Sequence, residues 1–226
     1  QSFFAAVGFE ESPDHLPVTM VVGTRGPMKG ISNGATIAMS ARAAISDLQL
    51  RIYATAEDID YSSLKIVTMP FAEMNAALLN GDVDAVSAPD PFASQIESSG
   101  AGRIVDRGTL SRRMPEGGRV MITGLVSTKR WIEDHCDLAT RVADVVERVV
   151  AEVPARGDDR SADVQVQEPI FDARLNSDDL QLAFDLAAEY GVVPGHLAAE
   201  TVITVARSDP LGEPKAKDRQ SSRGTD

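Results

Sequence analysis

One stretch sets the terms for any fold this chain can adopt. Residues 64–100 read LKIVTMPFAEMNAALLNGDVDAVSAPDPFASQIESSG. An apolar run of strand length, Leu64–Met69, opens it, and a helix-period segment with apolar residues at Phe71, Met74, Ala77 and Leu78 follows. Asn80-Gly81 stops that helix, a second apolar run covers Val83–Ala88, and Asp90-Pro91 leads into a further helix. The order is strand, helix, strand, helix, and neither strand has a polar face. That pattern predicts an α/β fold with a parallel sheet covered on both sides.

Asp90-Pro91 says most about function. A short acid before proline fits a helix N-cap followed by proline at the first helical position. It places a helix N-terminus at the carboxyl end of the Val83–Ala88 strand, where open α/β sheets collect ligands. The plainer alternative is that Asp90 only caps its own helix.

Composition narrows the partners. The 226 residues carry a net charge of −12, which argues against nucleic acid, since phosphate binding needs clustered Lys and Arg. A small anion stays open, because a few N–H groups and one or two Arg make a local positive site in an acidic protein. Cys136, the single cysteine, allows neither an intrachain disulfide nor a multi-Cys metal site. His15, His135 and His196 lack metal-ligand spacing, and neither a phosphate-binding glycine loop nor a G-x-S-x-G elbow is present. The expectation is therefore a non-enzyme without cofactor or metal.

Pro70 to Val105 resembles the second lobe of solute-binding proteins from nitrate/sulfonate/taurine/bicarbonate ABC importers, the NMT1-like group. Ala77-Leu78, Gly81–Ala85, Asp90-Pro91-Phe92 and Gly102–Val105 carry the resemblance. A second likeness lies at Ser12, Asp14, His15, Leu16 and Pro17, which echo a loop that touches ligand from the first lobe. The resemblance implies a type II periplasmic-binding-protein fold: two α/β lobes joined by a hinge. After Val18–Val22 the chain passes through a Gly/Pro-rich connection straight to the second lobe, so the first lobe is expected to be incomplete. Expected divisions are 1–26 for a first-lobe part, 27–118 for the second lobe, 119–206 for a first-lobe return and 207–226 for a disordered tail. Crossing segments near Val18–Arg25 and Val120–Ser127 are the hinge candidates.

The resemblance also implies a ligand set: Asp14 and His15 from the first lobe, and Ser40, Ala41, Pro70, Asp90, Phe92 and Ser94 from the second. Ser40 reads as the N-cap of a helix carrying Ala41, Ala44, Ile45, Leu48 and Ile52. Ala35 stands where the nitrate-binding branch carries Gln. Implied partners are a small anionic or polar solute and ABC permease subunits, at the periplasmic or extracellular face. The chain starts at Gln1 with no signal-like segment, so an export signal was removed or the sequence is a fragment. The alternatives are a ligand-sensing domain of a LysR-like regulator, a degenerate non-binding relative, and an enzyme of thiamine-pyrimidine synthesis, whose Cys-rich signature is absent.

Elsewhere, Arg112 and Arg113 read as a solvated basic loop, with anion ligation as the alternative. Trp131 reads as core. Val142, Val145, Val146, Val149, Val150 and Val153 form one stripe of a helix over Asp137–Val153 and read as a buried face.

Overall fold

The structure, a computed structural model, describes residues 2–11, 16, 18–23, 31–116, 118–152, 169–173 and 176–203, with backbone alone for 2–11 and 18. Asp14, His15, the Gly/Pro-rich connection and the tail from residue 207 lie outside the described residues.

Two sheets result. In the larger, β3 (Thr36–Met39) lies between β4 (Lys65–Thr68) and β5 (Ala85–Pro89), parallel to both. β2 (Val18–Gly23) pairs antiparallel with β5 and with β6 (Gly102–Arg107), giving the order β4-β3-β5-β2-β6. β6 therefore runs in the direction of β5. The smaller sheet is antiparallel, with β1 (Ser2–Glu11) between β7 (Val120–Ser127) and β8 (Ile170–Asp172).

Alternation along the strands builds two cores on the larger sheet. Val21, Ala38, Val86 and Ala88 pack under α2 (Phe71–Asn80) and α3 (Phe92–Ser98), against Met74, Leu78 and Ile96. Met20, Val22, Ile37, Met39 and Ala85 pack on the other face, under Leu50 and Tyr53 of α1 (Ile45–Ala56). Gly81 ends α2 at φ 77°, the left-handed turn that the Asn-Gly pair predicts.

β5 is buried along four of its five residues, as its apolar run demands. β4 is not: as an edge strand it leaves Lys65, Val67 and Thr68 exposed. The sheet is also mixed rather than purely parallel, because β2 enters it in the opposite direction. β2 lies on the first-lobe side of the expected division at residue 26. Both hinge candidates prove to be strands inside sheets, so the chain crosses one step earlier: between Glu11 and Val18, and again between Arg107 and Val120.

The smaller sheet carries α4 (Lys129–Asp134), capped by Thr128, then α5 (Cys136–Glu152) and α6 (Ser177–Glu189). Trp131 packs on Ile132 and Ala139 and stacks on His135, as a core residue would. α5 departs from expectation. Ala139 is its one buried residue, while Leu138, Val145 and Val149 stay exposed. α5 lies against β1 and β8, and the apolar residues turned away from those strands face solvent. α6 spans the two halves, since Leu186, Tyr190 and Val192 join Leu48 and Ile52 of α1 and Val120 of β7 in one cluster. No described helix is long and apolar enough to cross a membrane.

Candidate functional site

Parallel strands deliver their carboxyl ends to one edge. β3, β4 and β5 end there, and β6 ends beside them at Arg107. β2 starts there, with Val18 opposite Pro89 and Thr19 opposite Arg107. Leu16, next to His15 in sequence, packs on Gly108, which adopts φ 67°. The edge thus gathers Ser40 and Ala41 after β3, Pro70 after β4, and Asp90, Phe92 and Ser94 after β5.

These side chains have different surroundings. Ser40 and Ala41 are exposed. Ser40 is not the helix cap: α1 begins at Ile45, with Ala44 as N-cap. Asp47 shapes the turn that precedes the helix: its Oδ2 accepts the N–H of Ala43, the residue before the N-cap, at 2.9 Å, with Ala43 held at φ 53°. Among the described residues the N–H groups of Ile45 and Ser46 have no partner, and the buried Ser46 hydroxyl has none either. A helix start with open donors is suited to an anion.

Asp47 is buried within a network. It accepts from Tyr61 Oη at 2.5 Å and from Arg51 Nε at 3.1 Å, while the Arg51 guanidinium lies 4.1 Å from the Tyr61 ring centroid. Burial pushes the Asp47 carboxyl up, but the hydrogen bonds from Tyr61, the Ala43 N–H and Arg51 outweigh it and hold its pKa below the ordinary carboxylate value.

Asp90 does cap its helix. Its Oδ1 accepts from Ser94 N at 2.9 Å and from Ser94 Oγ at 2.7 Å. Its side chain is wholly buried, and Oδ2 takes Nη1 of Arg107 at 3.1 Å. Nη2 of Arg107 lies 3.4 Å from Ser94 Oγ. Phe92 stacks on Phe71, centroids 5.5 Å apart, and belongs to the α2/α3 core. Pro70 precedes α2 directly. The expected ligand set omits Arg107; the one signal available in the sequence is an Arg that closes an apolar strand before a glycine. Arg112 and Arg113 are not simply solvated. Arg112 pairs with the buried Asp106, and Arg113 reaches Glu189 of α6 at 2.5 Å.

A model of the NMT1-like family matches residues 5–153, more than half of the chain. The chain belongs to the NMT1-like family. Solved structures of similar fold include the alkanesulfonate-binding protein SsuA from Xanthomonas axonopodis pv. citri bound to MOPS, with TM-score 0.65 and 14% identity over 90% of this chain and 73% of that one. The periplasmic aliphatic sulphonate binding protein SsuA from Escherichia coli aligns with TM-score 0.55 and 19% identity, over 98% of this chain and 75% of that one. The periplasmic nitrate-binding protein NrtA from Synechocystis PCC 6803 aligns with TM-score 0.58 and 9% identity, over 89% of this chain and 64% of that one. None of the curated protein sequences matches the chain. This NMT1-like chain thus has the type II periplasmic-binding-protein fold with a shortened first lobe.

Proposed function

We propose that this protein is the solute-binding component of an ABC importer for a small anion or sulfonate-type solute, working at the periplasmic or extracellular face. The observation that carries the reading is the common edge. Four strands end there, α1 begins there with N–H groups unpartnered among the described residues, and β2 begins there, shortly after Asp14 and His15 in sequence. Ser40, Ala41, Pro70, Asp90, Phe92 and Ser94 form the wall on the larger sheet. Asp14 and His15, which lie outside the described residues, are the proposed first-lobe ligands. The lobes divide at the two crossings, between Glu11 and Val18 and between Arg107 and Val120, and not at residue 26, since β2 belongs to the larger sheet; ligand draws the lobes together about those crossings. Permease subunits then receive the closed form.

The fold and the named relatives support this assignment, which predicts no catalytic step. A thermal-shift screen with nitrate, bicarbonate, taurine, alkanesulfonates and pyrimidines tests it. Binding to the folded state raises the melting temperature by mass action, so at least one small anion at millimolar concentration shifts it upward. A flat response to all of them contradicts a working site.

A further inference from the structure

A β-bulge in β6 decides which side chain meets Asp90. Val21 pairs with Ile104 and Met20 with Asp106, so Val105 stands as an extra residue between them. Without it, Ile104 and Asp106 would share a face, because strand side chains alternate. With it, Arg107 lands opposite Thr19, on the α2/α3 face with Asp90. Bulges commonly re-aim one side chain in this way.

We propose that Arg107 is the anion-receiving group of this site, and that its pairing with Asp90 restricts the solute to simple anions without a cationic group. The inference rests on the solute-binding reading and sharpens it. Asp90 is wholly buried, and Arg107 balances its charge at 3.1 Å. The carboxylate that would otherwise grip an ammonium group is already occupied by an internal cation. Arg107 spends Nη1 on Asp90 and Nη2 on Ser94, and a quarter of its side chain remains open to solvent. A guanidinium has five N–H donors, so Nε–H and further η hydrogens remain for an oxyanion, in the planar fork that suits sulfonate or nitrate oxygens. A zwitterion brings an ammonium into the same gap. It finds no unpaired carboxylate there and is repelled by the guanidinium.

Ethanesulfonate and taurine share a skeleton and differ by that ammonium, which makes them the probes. Isothermal titration of the 226-residue chain at neutral pH is expected to show ethanesulfonate binding at least about tenfold tighter than taurine. Arg107→Gln is expected to weaken ethanesulfonate by about tenfold or more and to shift preference towards taurine, since the Asp90 charge then lacks the guanidinium beside it. Should that variant fail to fold, the double variant Asp90→Asn with Arg107→Gln removes both charges together. It is expected to lose the ethanesulfonate affinity and to distinguish the two ligands no longer. Tighter binding of taurine by the wild type, or unchanged ethanesulfonate binding in either variant, overturns this inference alone. A wild type that binds neither of these sulfonates overturns this inference, and one that also gives a flat response to every solute of the thermal-shift screen overturns the solute-binding reading with it.

Discussion

Arg51 and Tyr190 tie the two halves of the molecule together: Nη1 of Arg51 on α1 donates to the carbonyl oxygen of Tyr190, at the end of α6, over 3.1 Å. The same guanidinium pairs with Asp47 and covers the Tyr61 ring. One side chain therefore serves the α1 start, which borders the candidate site, and the seam between the sheets. Arg51→Ala leaves a buried carboxylate and a carbonyl short of a donor each. The expected loss of stability is about 1.5–3 kcal/mol by urea unfolding. A loss near zero would show that this seam does not hold.

The Asp47 network sets an acid limit. Its folded pKa lies below the unfolded value of about 3.9. The fold favours the ionised form, so this stabilisation is complete above about pH 4 and drains as pH falls through the folded pKa. Tyr61→Phe removes one stabilising donor and raises that folded pKa. The variant is expected to start from a lower urea midpoint at about pH 5 and to lose less of it on acidification, since its drain ends at a higher pH, so the gap between the two proteins narrows as pH falls. Superimposable acid limbs would contradict the role given to Tyr61.

Ala43 sits at φ 53°, a left-handed conformation that favours glycine. It persists because Asp47 fixes its N–H from within α1. Ala43→Gly relieves that strain at a loop bordering the candidate site. Stability is expected to hold or rise, by up to about 1 kcal/mol, with the larger entropy of unfolded glycine offsetting part of the gain. A clear loss in thermal unfolding would mean that the Ala43 methyl packs usefully.

The valine stripe of α5 and the core of α2 look alike in sequence and differ in consequence. Val149 is 55% exposed and Leu78 is 1% exposed. Val149→Gln is expected to change stability by no more than about 0.5 kcal/mol, and Leu78→Ala to cost about 2–5 kcal/mol. Denaturant midpoints for the pair test the contrast, and a costly Val149→Gln would reveal a covering surface.

That contrast marks what was legible in the residues. Local signals were read well where one element settles the outcome: Asn80-Gly81 ends a helix, and the Val83–Ala88 run is a central strand. Burial depends on what packs opposite. β4 resembles β5 in composition but lies at an edge, and α5 has a core-like stripe whose residues turned away from β1 and β8 face solvent. Capping at Asp90 was readable because donor and acceptor are four residues apart. Its pairing with Arg107 was not, because a single-residue bulge at Val105 decides which face Arg107 takes, and no periodicity announces one extra residue. Ser40 looked like a cap because the spacing allowed it, but the helix starts only at Ile45, after a left-handed turn at Ala43 that no residue type announces.

Backbone amide chemical shifts, recorded while ethanesulfonate is titrated into the isotope-labelled chain, test the central claim most directly. Saturable shifts are expected to concentrate at Ser40–Ser46, Phe71, Phe92–Ser94 and Arg107, on the edge where β3, β4, β5 and β6 end. Saturable shifts confined to other parts of the molecule, or none at all, would contradict the placement of a solute at that edge.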